Sequence, residues 1–184
     1  KFLKQDLSYG FNVFDDFIPF NHSAQLLTQK IYEQKNLKPI FNLNSSDENY
    51  YIDLKKELGI PEDSWLATLH VRESGYKLKE PFRDADLDSY IPAIEMIGNY
   101  GGWVIRVGDS SMRKAPKMKN LIDLPHHEAN SSKNQTILTA KSMFFIGTSS
   151  GAYTLAHAFG IPVLLTNYVP FASLHLGSQD LFIP

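Results

Sequence analysis

The feature that most constrains this chain is a series of short, nearly wholly apolar runs separated by segments with helical spacing. Residues 65–71 (WLATLHV), 103–107 (WVIRV), 143–147 (MFFIG) and 163–166 (VLLT) are such runs. A strand with one wet face alternates apolar and polar side chains, whereas a strand covered on both faces has no reason to. Continuous runs of this kind predict parallel strands sandwiched between helices. Between them, 87–100 reads as a helix closed by Gly101 and Gly102, and 136–141 as the end of a helix. Residues 151–159 read as a helix stopped at Gly160 with Pro162 beyond it, and 120–124 as a short strand. Strand, helix, strand, strand, helix, strand, helix, strand predicts an α/β, Rossmann-like, mainly parallel sheet with helices on both faces and right-handed crossovers.

Upstream the pattern differs. Residues 1–23 are aromatic-rich and read as irregular, with Pro19 as punctuation. A helix is expected over 24–34 through Leu27 and Ile31, and a short strand over 38–43. Ser45 and Glu48 have the spacing of a capping box. The helix after them should bury Tyr51, Leu54 and Leu58 and end at Gly59, before Pro61. The expected division is therefore an N-terminal helical segment or linker over 1–62 and a Rossmann-like domain over 63–184, with no internal repeat.

Composition excludes several classes. The 184 residues suit one domain with a short appendage. A net charge of −2 gives no general attraction to nucleic acid or an anionic membrane. No apolar run approaches the ~20 residues of a membrane span. The absence of cysteine rules out disulfides, thiolate nucleophiles and Cys-ligated zinc. Residues 1–10 show no apolar stretch behind a basic start, so a cytoplasmic protein is expected. On that ground the N-x-[ST] sequons at Asn21, Asn44, Asn130 and Asn134 are set aside.

In sheets of this type ligands bind beyond the carboxyl ends of the strands. His70 and Arg72, two residues apart, project from one face of the first strand. An arginine there offers a permanent charge and a planar fork suited to phosphate oxygens. The bland alternative is a strand-edge histidine and an arginine in a salt bridge. The run from Gly147 to Gly151 (GTSSG) lies between a buried strand and a helix, where hydroxyls and free N–H groups make an anion site. Ser149 or Ser150 would serve as N-cap whether or not phosphate binds.

The same five residues match the G-x-S-x-G nucleophile elbow of α/β-hydrolases. That fold needs an acid and then a histidine after the serine. Downstream come His157, His175 and Asp180, with no histidine after the aspartate. The run Asp84, Asp86, Asp88 resembles the carboxylate pair that holds a cation on a sugar-nucleotide diphosphate. It precedes a helix, where helix capping is the favoured reading. His126, His127 and Glu128 read as an exposed loop, because adjacent side chains seldom converge on one ion. The basic cluster from Arg113 to Lys119 reads as a solvated loop. Neither a P-loop nor a G-x-G-x-x-G fingerprint occurs.

Taken in order, His70-Val71-Arg72-Glu73-Ser74-Gly75-Tyr76, Arg83, Tyr90, the stretch from Gly101 to Asp109 (GGWVIRVGD), Asp123, the stretch from Phe144 to Gly151 (FFIGTSSG), Phe159-Gly160-Ile161-Pro162 and Thr166-Asn167 resemble a family of bacterial glycosyltransferases. That family is similar to the O-fucosyltransferase-like branch of the GT-B superfamily. The likeness runs from about Leu58 onward. It implies that this chain is the nucleotide-sugar-binding half of a two-domain enzyme. An acceptor-binding domain would precede residue 1, and further elements would follow residue 184. It also implies catalytic roles for Arg72 and His70, with Arg72 on the diphosphate. Phosphate would lie on Ser149, Ser150 and Gly151, with Gly75, Tyr76, Arg106, Asp109, Asp123 and Asn167 near the donor.

The expected reaction is transfer of a sugar from a nucleoside diphosphate sugar to an acceptor, without metal or cofactor. As the diphosphate leaves, charge builds on its oxygens, and Arg72 with the N–H groups of 149–151 would stabilise it. This half alone is expected to be inactive. Two alternatives are a non-catalytic nucleotide-sugar-binding module and a serine hydrolase.

Overall fold

Backbone contacts divide the chain into two units. The computed structural model describes residues 10–13, 16–19, 34–35, 39–73, 83–168 and 179–183. In the unit formed by Lys1–Lys38 and Pro170–Ser178, β1 (Gly10–Val13) and β2 (Asp16–Pro19) pair antiparallel, with Phe11 opposite Ile18. This pair stands where irregular structure was expected. The helix expected over 24–34 lies outside the described residues except for Gln34, which with Lys35 is helical.

The other unit, Pro39–Val169 with Gln179–Pro184, holds the apolar runs. Residues 39–44 are not a strand. Pro39 lacks a ladder donor, and this segment instead lies against the end of the helix at 151–158, Phe41 N donating to Ala158 O at 2.9 Å. The cap of helix α1 (Ser45–Glu57) lies one residue earlier than expected. Asn44 is the N-cap, its Oδ1 accepting from Asp47 N at 3.0 Å while Asp47 Oδ2 accepts from Asn44 N at 3.3 Å. The capping box is thus Asn44–Asp47 rather than Ser45–Glu48, since asparagine caps as well as serine does. Tyr51 is half-buried, and Leu54 and Leu58 are buried as expected.

The runs become β3 (Trp65–His70), β4 (Gly102–Arg106), β6 (Phe144–Thr148) and β7 (Val163–Thr166), with β5 (Leu121–Asp123) and β8 (Leu181–Phe182) at the edges. The six-stranded order is β5-β4-β3-β6-β7-β8, and each neighbouring pair is parallel. The chain therefore enters the sheet at its centre, winds one way through β4 and β5, then crosses back over β3 to β6 and winds the other way. This is the α/β, Rossmann-like doubly wound arrangement, in which ligands bind where the winding reverses.

Both faces are covered, which is why the runs carry so few polar residues. On one face Ile94 and Ile97 of α2 (Ile91–Asn99) pack with Ala67, Leu69, Val104 and Ile146. On the other, Leu54 and Leu58 pack with Leu66, Ile105 and Leu138 of α3 (Ser132–Ala140). Thr68, also buried, shares a 2.8 Å hydrogen bond with Ser142. The helix expected over 87–100 is divided. A 3₁₀ turn (Leu87–Tyr90) precedes α2, because Pro92 has no N–H to continue an α-helical ladder backward. Strand β8 had no counterpart in the sequence reading. Asp180, just before it, accepts from Val163 N at 2.7 Å and lies 2.6 Å from His157 Nε2 on α4 (Gly151–Ala158). Among the described residues no helix is long and apolar enough to cross a membrane.

At the reversal β3 and β6 approach closely. His70 lies opposite Gly147, and a Cβ at Gly147 would sit 2.1 Å from the His70 carbonyl oxygen. Backbone cannot swing aside as a side chain can. Gly147→Ala is therefore expected to destabilise the domain by about 1–3 kcal/mol, the usual cost of overpacking. A urea midpoint equal to that of the parent protein would refute this steric account.

Candidate functional site

The reversal brings the ends of β3 and β6 together. Arg72 N donates to Thr148 Oγ1 at 2.8 Å, so the segment after β3 is joined directly to the turn that opens α4. The Arg72 side chain is 7% exposed and its Nε lies 3.1 Å from Asp84 Oδ1. The Asp84 carbonyl in turn accepts from Asn167 Nδ2 at 2.8 Å. Asn167 follows β7 and has φ 48, a left-handed conformation that asparagine tolerates better than most residues. Three strand ends therefore meet through Arg72, Thr148, Asp84 and Asn167.

The β6–α4 turn carries the predicted small residues. Ser150 is the N-cap, its hydroxyl accepting from Ala152 N at 3.3 Å. Ser149 is buried, its carbonyl 2.5 Å and its hydroxyl 3.4 Å from Arg83 Nη2. Gly151 opens the helix, and a Cβ there would meet none of the described residues within 4 Å. Arg83 also faces Tyr153 and Tyr168, both buried, and burial pushes the Tyr168 hydroxyl up to about 12. These phenols are therefore neutral.

On the β4 side the predicted residues do different work. Arg106 is fully buried. Its Nη1 donates to Asp123 Oδ1 at 2.7 Å and to Arg113 O at 2.8 Å, and its Nη2 to Glu73 Oε2 at 2.9 Å. Asp123 Oδ2 accepts from Ala115 N at 2.9 Å. Arg106 and Asp123 thus clamp the segments that follow β3 and β4. A ligand oxygen reaching Arg106 would have to displace a carboxylate. Asp109 is exposed, and its carboxyl is held below the usual range by hydrogen bonds from Ser111.

His70 sits between these two halves. Its Nδ1 is 3.1 Å from the carbonyl of Val107. Burial, more than any other influence, lowers its pKa, and nearby Arg106 adds to this. The Val107 hydrogen bond, Asp109 and Glu73 oppose the shift without reversing it. The imidazole is therefore neutral near pH 7. Gly75 and Tyr76 lie outside the described residues.

Sequence reasoning gave Glu73 and Arg83 no role beyond the family likeness, read Asp84 as part of a helix-capping run and Thr148 as part of the small-residue turn, and gave Gln135 no role. Gln135, on α3, clasps the backbone of Gly108, donating to its carbonyl at 2.8 Å and accepting from its N–H at 3.1 Å. Such contacts join residues far apart in sequence and leave no local pattern. Arg113 was expected in a solvated loop. It is exposed in a loop as expected, and from there it also reaches Glu73 at 3.1 Å, Asp86 at 2.8 Å and Asp88 at 2.7 Å. Asp86 also caps the 3₁₀ turn, accepting from Asp88 N at 3.1 Å, in line with the capping reading.

Two other arrangements can be placed. His126 Nε2 lies 2.7 Å from Met112 O, and His127 Nδ1 accepts from Ala129 N at 3.1 Å. Among the described residues no three histidine or carboxylate side chains are grouped as a metal site. None of the described histidines hydrogen-bonds Ser149, and His157 is engaged by Asp180. The described residues thus give the elbow serine no base.

Solved structures share this fold. The chain superposes on E. coli ADP-heptose LPS heptosyltransferase II with a TM-score of 0.55 at 12% identity, over 78% of this chain and 44% of that one. It superposes on a glycosyl transferase family 9 structure from Veillonella parvula DSM 2008 with a TM-score of 0.51 at 11% identity, over 78% of this chain and 41% of that one. The chain spans less than half the length of either. No protein-family model matches it. No curated protein matches it either. The fold is glycosyltransferase-like.

Two outcomes are expected from this geometry. Arg106→Met leaves Glu73 and Asp123 facing a buried apolar side chain, and should cost about 3–5 kcal/mol by urea denaturation. A loss below about 1 kcal/mol would show that the clamp is dispensable. His70 gives a pH signature. Its folded pKa lies below that of the unfolded chain, about 6.5. The unfolded state therefore binds the extra proton first. The stability that neutral His70 contributes is complete above that value and is lost as pH falls toward the folded pKa. Wild type should lose more stability than His70→Asn between pH 7.5 and pH 5, read from urea midpoints. Parallel losses would place the His70 pKa at its ordinary value.

Proposed function

We propose that this chain is the donor-binding half of a glycosyltransferase. It would hold a nucleoside diphosphate sugar whose sugar passes to an acceptor presented by a second domain. The observation that carries the reading is Arg72 hydrogen-bonded to the β6–α4 turn at the reversal point of a glycosyltransferase-like sheet. The narrower likeness to the O-fucosyltransferase-like branch, a GT-B partner domain and a cytoplasmic setting belong to the same proposal.

The diphosphate would lie over the start of α4, where the N–H groups of Ser150 and Gly151 are unclaimed by the helix and the dipole favours negative charge. Among the described residues nothing crowds Gly151, which would let a phosphate come close to the backbone. Arg72 would supply the fixed positive charge, trading part of its contact with Asp84 for the ligand. Holding Arg72 by its backbone to Thr148 keeps that charge in place as negative charge grows on the leaving diphosphate. The chemistry would thus proceed without a metal.

The test is thermal stability of the chain with GDP, UDP, ADP and CDP, each with and without EDTA. A nucleotide at ~100-fold its Kd should add about 2.7 kcal/mol. The expected result is a shift with one nucleotide, indifferent to EDTA and lost in Arg72→Ala. Arg72→Lys should also weaken it, since lysine lacks the bidentate fork. In a protein carrying both halves, Arg72→Ala should lower turnover by ~10²–10³. Binding abolished by EDTA would overturn the metal-free reading, and binding without transfer in that protein would make this a binding module.

A further inference from the structure

Among the described residues the His70 imidazole has a hydrogen-bond partner at one nitrogen and none at the other. The Val107 carbonyl can only accept, so the nitrogen 3.1 Å from it must carry the hydrogen: Nδ1–H donates. A neutral imidazole holds one hydrogen, which leaves Nε2 with a lone pair. The ring is half-buried, and the described residues give Nε2 no hydrogen bond. A phosphate oxygen has no hydrogen to offer such a nitrogen and would meet it lone pair to lone pair.

We propose that His70 is a specificity-determining hydrogen-bond acceptor, its Nε2 receiving a sugar hydroxyl beside the diphosphate held by Arg72. This rests on the donor-binding reading above and divides the labour within the His70-x-Arg72 pair. The arginine takes the anion, and the histidine takes a neutral group bearing a hydrogen. The groups facing the ring keep it in this form. Burial disfavours the cation, Arg106 opposes a second proton, and Asp109 and Glu73 are too weak to impose one. A site built to accept a hydroxyl rejects a ligand that lacks it, because its own polar group is then left unmatched.

The hydroxyl has two possible sources, the donor sugar or the acceptor sugar, and the experiment separates them. The first measurement is ¹⁵N NMR of the His70 ring in the whole chain at pH 7.5. The expected state is Nδ1 protonated and Nε2 bare, and an Nε2–H tautomer would overturn the proposal. The chain is then titrated with GDP, UDP and ADP and with their hexose conjugates. If the donor sugar supplies the hydroxyl, the conjugate shifts the Nε2 resonance and the parent nucleotide does not.

His70→Asn keeps a donor for Val107 but has no atom at the Nε2 position. It should bind the parent nucleotide normally and lose about tenfold or more in affinity for the conjugate. His70→Gln places an amide oxygen there and should recover part of that loss, a rescue that a purely structural role would not show. If donor binding is unaffected by His70→Asn while transfer in a protein carrying both halves falls, the acceptor sugar supplies the hydroxyl. Arg72-dependent nucleotide binding with no effect of His70→Asn on conjugate affinity or transfer overturns this proposal alone. No binding by any nucleotide overturns the donor-binding reading, and this proposal with it.

Discussion

The structure depends on the side-by-side pairing of β3 and β6, two strands separated by more than seventy residues of chain. Parallel neighbours this far apart need a crossover, and here β4 and β5 are wound onto the other side of β3 before the chain returns. The loops therefore leave β3 and β6 in opposite directions and open a crevice between them. Gly147 permits the contact, because only a residue without Cβ fits against the His70 carbonyl. The hydrogen bond from Arg72 N to Thr148 then extends the strand pairing one step past the sheet. His70, Arg72 and the start of α4 owe their proximity to this one junction.

A second layer of interactions supports that junction from the β4 side. Arg106 is a costly residue to bury, and its cost is offset by Glu73 and Asp123 together with the Arg113 carbonyl. Arg113 extends the same network outward to Asp86 and Asp88. The outer pairs are exposed and contribute little to stability by themselves. Their effect is geometric, since they tie the segment after β4 to the segment before α2. Gln135 does the same for Gly108 from below. The crevice thus has one wall held by charge pairs and another formed by a helix N-terminus.

Much of this was legible from the order of residues. Covered strands announce themselves by uninterrupted apolar runs, so β3, β4, β6 and β7 fell close to their expected places, and parallel pairing followed from the helices between them. Caps were legible to within a residue: the box begins at Asn44 instead of Ser45 because both types cap and only backbone geometry chooses between them. Short, weakly apolar pieces were not legible. Strand β8 has two residues and exposed side chains, and it is held by pairing to β7 and by Asp180, neither of which is a local property.

The sequence by itself determined the class of the sheet, its two covered faces, and where in the chain the strand ends would fall. It did so because side-chain period and glycine placement are local and survive without knowledge of the fold. Tertiary structure alone decided how the residues there divide. Arg72 and Arg106 look alike in sequence, each near the end of an apolar strand. One meets the β6–α4 turn, and the other is enclosed by carboxylates. His70 likewise became an acceptor only because Val107, on the neighbouring strand's extension, claims its other nitrogen. Which polar group faces which across a sheet depends on strand order, and strand order is a long-range outcome that no short stretch of sequence encodes.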